Sequence, residues 1–145
     1  MAWWANRCEP ESVIDEYCQF VASVRGVLPA TVTAFIDRHT LHDAVVRRFD
    51  VTMDQKSARL SADGFDCELN GSVAYDLQYA GVAEVVVLNG DDEALGGPTG
   101  LGDLGYDEFE PIDGGLVEHR MLFSTGVEIT IRFREFAFSA DPHKV

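Results

Sequence analysis

The sequence is poor in basic residues and in cysteine, and it has no long apolar run. Its longest purely aliphatic stretch is Val85-Val86-Val87-Leu88, far short of the roughly 18–20 residues that a membrane-crossing helix needs. Cysteine is limited to Cys8, Cys18 and Cys67, with no C-x-x-C pair. That removes the usual mark of zinc and thioredoxin-type sites. An odd cysteine count without a leader favours free thiols in a reducing cytoplasm. The opening MAWWANRCEP lacks the basic start and apolar core of a secretory signal. What is present is ordinary globular material: 145 residues, 46% hydrophobic and 25% charged. This is enough to bury a real core within one domain, and too apolar for a disordered chain.

Lys and Arg number 11 against 25 Asp and Glu, a formal net charge of −14. Residues 1–50 carry a net −2, residues 51–100 a net −7 and residues 101–145 a net −5. The acid therefore sits on the second two-thirds of the chain. Asp91-Asp92-Glu93 and the set Asp103, Asp107, Glu108, Glu110 and Asp113 bracket a glycine-rich stretch. A surface of this sign repels phosphate backbones and anionic lipid, so neither nucleic acid nor a membrane is an expected partner. It draws in a basic one and speeds the encounter.

Two helices are expected first. In Glu9–Arg25, Val13, Ile14, Tyr17, Cys18, Val21 and Val24 recur on one helical face, with Pro10 suited to the first turn and Gly26 to the stop. A second begins after Pro29, with Val32, Phe35, Ile36 and His39 on one face, and ends near Arg38–Thr40. From Ala44 the period changes to two. Strands are expected from Ala44 to Met53, over Arg59–Ala62 and from Phe65 to Leu69, with turns at Asp54-Gln55-Lys56, Asp63-Gly64 and Asn70-Gly71. Val73, Tyr75, Leu77 and Tyr79 form one apolar face. Val82–Leu88 is apolar on both sides, as a central strand would be. Asn89–Gly105, with six glycines in 17 residues, reads as a long surface loop. Tyr106–Ile112 reads as a short edge strand stopped by Pro111.

The last hairpin can be read to its register. A three-residue loop, Ser124-Thr125-Gly126, sets Phe123 opposite Val127, Met121 opposite Ile129, His119 opposite Ile131 and Val117 opposite Phe133, all on one largely apolar face. Glu118 then faces Arg132 on the other side. After Phe133 the apolar register slips by one, to Phe136 and Phe138, which predicts a β-bulge near Arg134-Glu135. The expected architecture is α+β: two N-terminal helices, then a curved, mainly antiparallel sheet of six or seven strands.

Candidate chemistry is sparse. His39, His42 and Asp43 are the most metal-like set, since two histidines three apart on a helix can share an ion; the competing expectation is that His39 closes an apolar face and His42-Asp43 shape a turn. His119 is expected on the buried face of the hairpin, where catalysis would need a carboxylate and an open pocket beside it. The glycine-rich loop lacks a P-loop lysine, the acidic run lacks calcium-loop spacing, and no serine sits in a G-x-S-x-G elbow. Cys67 has no basic neighbour in sequence to activate it. Trp3 and Trp4 either pack over the sheet or anchor a partner. No motif implies a cofactor.

The segments LHDAVVRRFD, LGDLGYDEFE and EHRMLFSTGVEITIRFREF resemble a family of small bacterial proteins without an assigned function. The resemblance spans Leu41–Phe138 and implies a shared fold: a His-Asp pair opening the first strand, a tyrosine-acidic segment, and a final hairpin with an aromatic last strand. It assigns no catalytic residue. By charge and size the chain is also similar to immunity proteins, which block basic secreted toxins. The expected function is therefore a non-enzymatic acidic binding protein covering a basic partner. Its contact set is Asp91, Asp92, Glu93, Asp103, Tyr106, Asp107, Glu108 and Glu110. The alternative is a small metal-dependent enzyme or ligand-binding domain using His39, His42, Asp43 or His119. A homodimer through Val127–Phe138 is expected if that strand is an exposed edge.

Overall fold

The computed structural model describes residue 19 and residues 26–65, 71–88 and 101–142. One α-helix among these, α1 (Ala30–Arg38), precedes eight strands: β1 (Val45–Thr52), β2 (Ser57–Phe65), β3 (Ser72–Ala80), β4 (Glu84–Leu88), β5 (Leu104–Ile112), β6 (Leu116–Phe123), β7 (Glu128–Phe133) and β8 (Glu135–Pro142). They form two four-stranded antiparallel sheets, in the orders β1-β2-β3-β8 and β4-β7-β6-β5. In place of the expected two helices and single sheet of six or seven strands, the described residues hold one such helix and eight strands in two sheets, and they are mostly β. The expected helix Glu9–Arg25 lies outside the described residues apart from Gln19, as do Trp3, Trp4 and all three cysteines. No helix among the described residues is long and apolar enough to cross a membrane.

Two local features account for the sheet count. Asp63-Gly64 is not a turn but part of β2, pairing across to Ala74 and Val73. Glycine is used there for close approach: a Cβ would stand 3.2 Å from both the Tyr75 ring and the Ala44 side chain. The register slip after Phe133 is not a bulge within one strand. It is a corner at Arg134, where the chain leaves the second sheet and enters the first as β8. Arg134 N–H still donates to Ala80 O at 3.1 Å, which pins the corner to the end of β3.

The hairpin β6–β7 has the expected register, with Val117, Glu118, His119 and Met121 opposite Phe133, Arg132, Ile131 and Ile129. Gly126 takes a φ of +90°, the left-handed position that its three-residue turn requires. The strand buried on both faces is β6, not Val82–Leu88. β4 is an edge, with Leu88 52% exposed. The outer face of β6 carries Glu118 and Arg120, so hydropathy gave no sign of its burial. β5 is an edge as expected, but it starts at Leu104 and runs through Pro111, which an edge strand tolerates because no partner needs its N–H. Of the stretch expected to pair two copies, β7 is interior and only β8 is an edge.

The two inner faces and α1 share one core. Val32 and Phe35 of α1 are buried, and the Phe35 ring meets Tyr75, Phe109, Phe136 and Phe138 edge-on, with centroids 5.2–6.2 Å apart, the favoured geometry for aromatic pairs. The helix thereby bridges β3 and β8 of one sheet to β5 of the other.

Candidate functional site

A cavity of about 300 Å³ opens where α1 ends against the start of β5. The helix contributes Phe35, Ile36 and the following His39, the turn contributes Thr40–His42, and β5 contributes Gly105–Asp107 and Phe109. The turn is built by Asp43, whose φ of +63° is left-handed, a conformation that a short polar side chain tolerates. Asp43 N–H donates to Leu104 O and Leu104 N–H to Ala44 O, both at 2.8 Å. The His42 Nδ1 lies 2.7 Å from Gly105 O. A carbonyl only accepts, so Nδ1 carries the proton and Nε2 of the neutral ring keeps its lone pair.

His39 faces the interior end of the cleft, edge-on to Tyr75 and Phe138 with centroids 5.5 and 5.4 Å away. Its Nδ1 is buried without a hydrogen-bond partner among the described residues. Burial, and then the charge of Arg38, hold its pKa below the ordinary 6.5. The folded chain therefore binds the proton less readily than the unfolded one. Stability is full above 6.5 and is lost as pH falls from there through the folded value. His39→Phe, which keeps a ring in place, is expected to flatten this slope. Urea unfolding at pH 5 and at pH 7.5 should show the variant gaining on wild type in acid, and an equal difference at both pH values would count against neutral burial of His39.

Behind the cleft, Asp107 is backed by a chain of buried groups. His119, fully buried, places Nε2 2.7 Å from Asp107 Oδ2 and Nδ1 2.7 Å from the Tyr79 hydroxyl. The carboxylate accepts from Nε2–H, so Nδ1 of the neutral ring accepts from Tyr79 O–H. Phe109 stacks on the imidazole at 3.9 Å and 8°. Burial, and then the Asp107 charge, push the Tyr79 phenol well above its ordinary 10. This is the reverse of an activated nucleophile, and Tyr79 is only 1% exposed. The Asp-His-Tyr chain orients a carboxylate toward the cleft and ends in the core.

The outer face of the same sheet carries a second charged cluster. The Arg120 guanidinium donates to Glu108 at 2.7 Å, to Glu110 at 2.5 Å and to Glu118. Glu118 also accepts from Arg132 at 2.7 Å, and Arg132 donates to Glu84 at 2.6 Å. A larger hollow of about 740 Å³ lies on the outer face of the first sheet, among Arg48, Asp50, Arg59 and Glu135. Arg48 pairs there with Asp50, and Arg59 with Asp76. Its basic groups are thus already met by carboxylates, whereas the cleft beside α1 presents a carboxylate with no lysine or arginine among its described lining residues.

Of the expected contact set, Asp91, Asp92 and Glu93 lie outside the described residues. Asp103 is exposed, Tyr106 and Asp107 line the cleft, Glu108 is 2% exposed and held by Arg120, and Glu110 shares that guanidinium. His39, His42 and Asp43 do not gather as a metal site, because the helix stops at Arg38 and His39 is extended (φ −134°, ψ 158°). The three-residue spacing thus loses its helical geometry. His42 Nε2 is 3.6 Å from Asp43, and no group of three or more metal-ligating side chains forms among the described residues. Sequence reasoning missed Tyr79 and Phe35 as supports of the site. Their only signal was membership of an apolar face.

Two antiparallel sheets bridged by one described helix, with an aromatic-walled acidic cleft at the helix end, place the chain among mostly β proteins. It matches no protein-family model, no curated protein and no solved structure.

Proposed function

We propose that the chain is a non-enzymatic acidic binding protein that covers a basic partner in the cytoplasm, in the manner of the immunity proteins it resembles in charge and size. The observation that carries this reading is the cleft beside α1. Its described lining holds the Asp107 carboxylate and no lysine or arginine, on a chain of net charge −14. A wall of this kind desolvates and holds a cationic group, while the remaining surface charge steers the partner in. The Asp107–His119–Tyr79 chain supports binding over catalysis, since it terminates at a buried phenol and not at a nucleophile facing the cleft.

The test is capture from a lysate of the source organism at low salt, elution in rising salt, and kinetic measurement with the eluted protein. A single basic protein is expected, with an association rate that falls roughly tenfold or more toward 0.5 M salt. An acidic partner, or an association rate indifferent to salt, would overturn the reading.

A further inference from the structure

We infer that the cleft between α1 and β5 is a guanidinium pocket that takes one arginine side chain of the basic partner. The inference rests on the binding reading above and names the group that enters. Three features of the cleft select it. First, the hydrogen-bonding capacity on offer is mostly acceptor. Asp107 Oδ1 has no hydrogen bond among the described residues, and Oδ2 uses one lone pair on His119. No described lining residue carries a fixed positive charge, so an anion meets repulsion and no donor-rich counter-group.

Second, the walls are aromatic. Phe35 and Phe109 line the cavity but are only 2% and 1% exposed, so the aromatic surface on offer is that of Tyr106, whose ring makes a tilted contact with His42 at 6.2 Å. A guanidinium is planar, weakly hydrated and stacks on aromatic faces. A lysine ammonium is a compact, strongly hydrated point charge that loses more on entering such a slot. Third, the size fits. About 300 Å³ sits at the low end of small-molecule pockets and admits a single long side chain. The carboxylate that would meet it is kept in place by the His119 hydrogen bond, so little ordering is left to be done on binding.

The experiment is a titration of the ¹⁵N-labelled chain with N-acetyl-arginine amide, with the citrulline amide as a neutral mimic of the same shape and the lysine amide as the competing cation. Saturable shifts are expected at Gly105, Tyr106 and Asp107 with the arginine probe, and at least tenfold weaker binding of the other two. Asp107→Asn should weaken the arginine probe tenfold or more. Tyr106→Ala, which leaves the buried His119 contacts intact, should weaken it severalfold; it keeps the test open if the first variant does not fold. Citrulline binding as well as arginine, or shifts spread evenly over the exposed acids, would overturn the pocket. If Asp107→Asn and Tyr106→Ala both bind the captured partner as wild type does, the pocket is wrong and the acidic-surface reading stands. If the arginine probe enters the cleft but no basic protein is captured, the pocket stands and the partner reading falls.

Discussion

Arg120→Met is expected to destabilise the fold by about 3–5 kcal/mol at neutral pH, the range for removing one partner of a buried ionic cluster. Methionine keeps most of the stem volume, so the loss is electrostatic. Glu108, Glu110 and Glu118 converge on this one guanidinium, and Glu108 and Glu118 are 2% and 7% exposed. Without it, carboxylates gathered within reach of one side chain face each other in a medium that screens them poorly. The sign of the pH dependence follows. In the variant the carboxylates that Arg120 held together bind protons more readily than in the unfolded chain, so it recovers as pH falls. In wild type, burial pushes the Glu110 carboxyl up, and the hydrogen bond and charge of Arg120 help bring it to a net value below its ordinary 4.5. Wild type therefore begins to lose stability only as pH falls from 4.5 through the lower folded value, below the range in which the variant recovers. Urea unfolding of both proteins at pH 7, pH 4.5 and about pH 3.5 should show the gap narrowing first through recovery of the variant and then, below 4.5, through loss in wild type as well. Arg132→Met is the control: its side chain is 40% exposed and should cost roughly 1 kcal/mol or less. Equal costs for the two arginines would mean that Arg120 is solvated in solution.

His119→Leu is expected to cost about 3 kcal/mol, most of it through the Tyr79 hydroxyl. That O–H has the imidazole as its acceptor and is buried, and a buried donor left unpaired costs about 1–3 kcal/mol. Loss of the Phe109 stack adds to it. The distinguishing measurement is the double variant. Tyr79→Phe alone strands the imidazole nitrogen and destabilises. Combined with His119→Leu it removes both partners and should recover about 1–3 kcal/mol of the single-variant sum. Strict additivity would show that the hydroxyl and the imidazole are not coupled.

Where the sequence carried two signals for one element, that element was legible. The β6–β7 hairpin had alternation on both strands and a turn glycine that admitted one register. His119 could therefore be placed on its buried face. Its neighbours could not: Asp107 reaches it from β5, whose register against β6 depends on an irregularity between Leu104 and Tyr106 that no local pattern announces. The same missing register made Glu108 and Glu110 read as solvent-facing, although both converge on Arg120 across the strand pair. Gly64 was misread because glycine serves a turn and a close approach equally well. The expectation of a single sheet of six or seven strands failed at Arg134, where a one-residue slip is the signature of a bulge and of a corner alike.

That corner has a kinetic consequence. β8 pairs Ala80 with Glu135 and Val73 with Pro142, so the first sheet receives its fourth strand from a segment more than fifty residues downstream. β1, β2 and β3 leave the ribosome early, yet Phe136 and Phe138, against which Phe35 packs, arrive only after the whole second sheet has been made. Closing so long a loop places the chain among slow folders, with relaxation on the order of milliseconds to seconds. Until β8 docks, the nascent first sheet exposes the β3 edge and an open aromatic face. These are the features by which unfinished β proteins associate with one another or engage chaperones.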